Sequence, residues 1–86
     1  HVEIATLKGR SFAFITFERS SGGSLIPVYE ITDVTAPEHV HAFLAPDSDE
    51  PESTRFVKTS KTGGVLLAAS EDSGTVDTFG FNLNML

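Results

Sequence analysis

The chain contains no cysteine, which removes both a disulfide framework and a thiolate zinc site as ways of holding a small protein together. Long apolar runs are also missing: the longest are only a few residues, against the ~20 that a membrane-crossing helix needs. Basic residues are scarce, 6 against 12 acidic ones, for a net charge of −6. That balance disfavours nucleic acid and anionic membrane surfaces, which both attract basic patches. It suits divalent cations or a basic protein partner. There is no G-x-S-x-G elbow and no Cys–His pair, so nothing supports nucleophilic catalysis. No N-x-S/T acceptor occurs, so any glycan is O-linked or lies elsewhere. No segment sustains apolar residues at i, i+3, i+4, i+7, which argues against helix. No signal peptide is visible, and the start at His1 rather than Met reads as a processed or partial polypeptide.

What is present is β-periodicity in a chain of 86 residues. A protein of this size buries only roughly 60–65% of the surface its unfolded form exposes. Without disulfides, oxygen or imidazole metal ligands or burial against more protein remain as sources of stability. Four strands are expected in the first half. Val2–Leu7 ends at a Lys8-Gly9 turn. Ser11–Glu18 places Phe12 and Phe14 on one face and Ala13, Ile15 and Phe17 on the other, the pattern of a strand covered on both sides. A Ser- and Gly-rich turn over Ser20–Ser24 leads to Leu25–Ile31, where β-branched and aromatic residues dominate. Pro27 lacks an N–H and predicts a bulge or an unpaired position there. The turn-rich Asp33–Pro37 introduces Glu38–Leu44.

The pattern then restarts. An acidic, proline-containing loop over Ala45–Ser53 precedes a strand at Thr54–Ser60, a turn at Lys61–Gly64, and strands at Val65–Ser70 and Thr75–Asn82, with Asp72-Ser73-Gly74 between the last two. Lys8 aligns with Lys61 and Glu18 with Glu71, an offset of 53, and Tyr29-Glu30-Ile31 aligns with Phe79-Gly80-Phe81, an offset of 50. A repeat near 50 residues with four strands per unit reads as β-propeller blades. The expected organisation is a four-stranded blade over 1–44, an acidic inter-blade loop over 45–53 and an incomplete closing blade over 54–86. In closed propellers the last blade often takes its outermost strand from the N-terminus, which leaves three. Two such blades alone expose doubly apolar strands to water, so the segment is not expected to fold by itself. The competing architecture is a small sandwich or barrel of about seven strands.

Two strings carry a family resemblance. Phe17-Glu18-Arg19, Gly22-Gly23, Val28-Tyr29-Glu30-Ile31-Thr32-Asp33 and Ala36-Pro37 resemble the blade motif of the choice-of-anchor I proteins and mesenchyme-specific cell-surface glycoproteins. Glu71, Ser73, Gly74 and Thr75 resemble that family's closing blade. The resemblance spans nearly the whole chain. It implies an all-β fold, the C-terminal fragment of an extracellular or cell-surface β-propeller. Some relatives are labelled phosphatase-like, but no phosphatase motif occurs here and that activity is not carried over.

Candidate sites are few. Glu18 and Glu71 sit at equivalent strand ends, and a ring of such carboxylates binds Ca²⁺, which prefers several oxygen ligands. Two are too few for a site, so pairing with a base such as Arg19 or capping of the following turn is the simpler account. Asp47, Asp49, Glu50 and Glu52 form a dense acidic loop suited to divalent cations. The D-x-D spacing lacks the rest of an EF-hand, and a solvated inter-blade loop is the simpler account. His39 and His41, one residue apart, are expected to share a strand face. As an H-x-H pair they need a third ligand to hold zinc: His1, a carboxylate or a residue elsewhere. An exposed outer strand is the simpler account of both. Ser20–Ser24 precedes a strand, so it lacks the helix N-terminus of a phosphate-binding loop.

These residues point to a non-catalytic structural or interaction module of a surface-associated propeller, with Ca²⁺ as its candidate ion. The rest of the propeller or another protein chain is its expected partner. The alternatives are part of a metal-dependent propeller phosphatase or hydrolase with its active site in other blades, and an accessory subunit of a large assembly.

Overall fold

The structure, a computed structural model, describes residues 1–16, 24–45, 53–70 and 74–86. The described chain is all-β apart from one short 3-10 turn. Strands β1 (Val2–Leu7), β2 (Arg10–Ile15), β3 (Ser24–Glu30) and β4 (Glu38–Ala45) form an antiparallel meander in chain order. Strands β5 (Ser53–Lys58), β6 (Gly63–Ser70) and β7 (Thr75–Asn82) form a second meander, and Leu83–Met85 closes the chain with a 3-10 turn. Local chemistry explains the connections. Lys8 and Gly9 both have positive φ, 50° and 75°, the backbone that a two-residue type I′ hairpin requires. Gly9 adopts it freely, whereas Lys8 does so at a cost of about 1 kcal/mol.

The two sheets face one another across a single core. Phe12, Phe14, Ile26 and Val28 of the first sheet meet Leu66, Ala68 and Phe81 of the second, all buried. Aromatic rings set the contact. Phe81 lies edge-on to Phe12 and Phe14, with centroids 5.1 and 5.2 Å away, and Phe56 stacks on Phe14 at 5.3 Å. Edge-to-face and offset pairs at this spacing contribute about 0.5–1.5 kcal/mol each beyond the area they bury.

The sequence repeat is a structural one. Phe14 pairs with Val28 and Phe12 with Glu30 in the first sheet; Leu67 pairs with Thr78 and Val65 with Gly80 in the second. These are the same ladder positions at offsets of 53 and 50, the offsets read from the sequence. The first strands match as well: Ala13 pairs with Ile4 where Leu66 pairs with Phe56. Strand β4 has no counterpart beside β7 among the described residues.

Two local expectations are refined. Gly63 and Gly64, read as part of a turn, belong to β6, and the turn is confined to the residues before them. Close backbone approach explains both glycines. A Cβ on Gly63 would lie 2.6 Å from the Phe81 carbonyl oxygen, and one on Gly64 would overlap the Val57 carbonyl oxygen and sit 2.8 Å from the Phe56 ring. Pro27 lies within β3 and faces Ala42 of β4, but the ladder with β2 ends one residue away at Val28. On that side no partner needs the N–H that proline lacks.

Candidate functional site

Every carboxylate proposed for a cation, Glu18, Glu71, Asp47, Asp49 and Glu50, lies outside the described residues, as do Glu52 and Arg19. Among the described residues no group of three or more His, Asp or Glu side chains is placed to hold a metal ion.

His39 and His41 do not share a face. The β3–β4 register shifts between Val28 and Tyr29, so His41 pairs with Val28 but His39 pairs with Tyr29. Val40 is the extra residue, and a bulge of this kind cancels the two-residue alternation. His41 therefore turns inward against Phe43, at 4.7 Å between ring centroids, while His39 packs on Tyr29 at 5.3 Å on the outer face. His1 does not complete a triad with them: its Nε2 lies 3.3 Å from the Thr54 carbonyl oxygen.

Several polar groups of the described residues hold turns and strands together. The Arg10 guanidinium grips Glu30 with two prongs, Nε donating to Oε2 at 3.0 Å and Nη2 to Oε1 at 2.7 Å. The Thr32 hydroxyl donates to the same Oε2 at 2.8 Å and accepts from the Ser11 N–H at 3.0 Å. Hydrogen bonds from Arg10 first, then Thr32, hold the Glu30 carboxyl down at about 2. The same guanidinium lies 5.4 Å from the Phe12 ring centroid, so it also covers one end of the core. Asp33 is engaged in its own turn. Its Oδ1 accepts from the Thr35 hydroxyl at 2.7 Å and the Thr35 N–H at 3.0 Å, which lowers its carboxyl below the ordinary range.

Glu3 links the sheets. Its carboxylate accepts the Phe56 N–H at 2.6 Å, joining β1 to the edge of β5. The Glu3 and Glu30 roles were not anticipated from sequence, because their partners are 53 and 20 residues away. A signal was nevertheless present: each is the only charged residue in an otherwise apolar or neutral strand, VEIATL and LIPVYEI.

Among the described residues the exposed outer faces of the sheets are notably apolar. Val2, Ile4, Leu25 and Leu44 are 53, 50, 56 and 59% exposed on the outer face of β1–β4. Val2 and Ile4 lie opposite Ile15 and Ala13 on β1–β2, and Leu25 and Leu44 lie opposite one another on β3–β4. Among the described residues of that face, His39 is the sole titratable side chain apart from the Tyr29 phenol. The outer face of β5–β7 carries Val57 and Val76, 43 and 62% exposed. Apolar side chains left this exposed on a sheet face are unusual for a surface that only meets water. No helix among the described residues is long and apolar enough to cross a membrane. Comparison with protein-family models, curated proteins and solved structures finds no match to this chain.

Proposed function

We propose that this chain is a non-catalytic structural and interaction module, a segment of a propeller-type stack of β-sheets whose two outer faces are covered by further protein. The apolar outer face of β1–β4 carries this reading. A sheet that ends a protein normally alternates apolar-in and polar-out, whereas β1–β4 holds Val2, Ile4, Leu25 and Leu44 outward and half exposed. The repeated ladder register supports a modular array, in which each unit contacts its neighbours and cannot cover its own apolar faces. The charged side chains of Arg10, Glu30, Asp33 and Glu3 are engaged in holding turns and sheets, which suits a scaffold. The family resemblance supports a cell-surface or extracellular setting.

Covalent footprinting of the native full-length polypeptide tests the proposal. Val2, Ile4, Leu25 and Leu44 are expected to be strongly protected in it relative to the isolated 86-residue chain labelled at a dilution where that chain is monomeric. Equal labelling in the two would overturn the reading. Protection that appears only when another polypeptide is bound would identify the module as an assembly subunit.

A further inference from the structure

The repeat determines not only that the sheets stack but in which sense. At the shared ladder positions, Phe12 and Phe14 of β2 correspond to Val65 and Leu67 of β6. Phe12 and Phe14 point into the core, whereas in β6 it is Leu66 and Ala68 that do so, and Val65 and Leu67 face outward. The third strands agree: buried Ile26 corresponds to Val76, which is 62% exposed. In the other direction, Ile4, Ala13 and Tyr29 of the outer face correspond to Phe56, Leu66 and Phe79, which line the interior.

Equivalent strands thus turn opposite faces to the shared core. Two sheets related by a two-fold axis would bury the same face of each. These sheets are instead stacked head to tail, a heterologous contact that leaves a complementary surface free at each end.

We infer that the outer face of β1–β4 is a docking surface for the outer face of β5–β7 of a second copy of this chain. The contact continues the interior interface, because the receiving face has the strand positions of the inner face of β5–β7 and the entering face has those of the inner face of β1–β4. Val65 and Leu67 are smaller than Phe12 and Phe14 and bury less apolar area, so this association is weaker than the internal one. The inference rests on the stacking role proposed above and adds the pairing sense. A like-with-like contact would overturn the sense and leave the covered-face reading standing.

Sedimentation equilibrium of the 86-residue chain with two outward substitutions decides it. Wild type is expected to rise above 9.2 kDa with concentration and to pass beyond the dimer. Ile4→Lys alone and Val76→Lys alone each stay at the monomer mass. Their equimolar mixture reaches twice that mass and no more, since each supplies the face the other has lost. A dimer formed by either variant alone overturns the inference, as does a monomeric mixture or a wild type that stays monomeric up to about 1 mM. Unfolding transitions confirm that the variants are native. Should either not be, Leu25→Lys and Val57→Lys test the same two faces with the same expectations.

Discussion

Glycine-to-alanine substitutions at Gly64 and Gly80 are expected to change stability in opposite directions, although both glycines lie in the second sheet. Alanine in an unstrained strand position stabilises by about 0.4–1 kcal/mol, because it narrows the unfolded ensemble. Gly80 meets that condition: a Cβ there finds no heavy atom within 4 Å. At Gly64 the added carbon overlaps the Val57 carbonyl oxygen and lies 2.8 Å from two carbons of the Phe56 ring. The oxygen is backbone within the β5–β6 ladder, so it cannot swing aside. The ring is held by its stack on Phe14, at 5.3 Å between centroids. Overpacking of a tight site costs about 1–3 kcal/mol, which exceeds the entropic gain. With the entropic gain subtracted the net loss is about 1–2 kcal/mol, so Gly64→Ala should lower the unfolding midpoint by roughly 4–16 °C for a domain of this size, and Gly80→Ala should raise it by a few degrees. Thermal unfolding followed by circular dichroism, with both variants at one protein concentration, reads the two signs. A neutral or stabilising Gly64→Ala would refute the close approach of β5 to β6.

Three further outcomes follow from single groups. Thr54 Oγ1 is buried without a hydrogen-bond partner, so Thr54→Val should stabilise by about 1 kcal/mol in urea titration, because it removes an unsatisfied hydroxyl at nearly constant volume. Glu30 is held at about 2 in the folded chain against an ordinary 4.5. Its contribution is therefore complete above about pH 4.5 and is lost as pH falls toward 2. Glu30→Gln should lose less stability than wild type between neutral pH and pH ~2.5, and an equal loss would remove Glu30 as the cause. Glu3→Ala orphans the Phe56 N–H and should cost about 1–3 kcal/mol, with Glu3→Gln recovering part of it. Hydrogen exchange at Phe56 should quicken in the same order; unchanged exchange in both variants would rule out the link between sheets.

Much of the fold was legible from short-range chemistry. The Lys8-Gly9 hairpin, the Asp33 turn and the end of the β2–β3 ladder beside Pro27 each depend on residues adjacent in the chain. Adjacent residues carry turn preference and donor count directly. Local alternation failed at the histidines, because one extra residue, Val40, reverses the face of everything before it on β4. The Gly63-Gly64 pair misled for a related reason. Glycine serves turns and close strand approach equally, and only the positions of Val57 and Phe81 distinguish the two. The acidic residues put forward for Ca²⁺ fall outside the described parts of the chain; among the described residues the candidate surface is the apolar sheet face, in keeping with the doubly apolar strands.

By itself the sequence determined seven strands in meander order and the spacing of the repeat, since two-residue alternation, turn residues and self-similarity are properties of the chain alone. Tertiary structure decided which apolar face turns inward. Phe12 and Phe14 satisfy the strand pattern as well on one side as Ala13 and Ile15 do on the other. The choice was made by what lay opposite: the rings of Phe56 and Phe81, which fill the space between the sheets and leave Val2, Ile4, Leu25 and Leu44 at the surface.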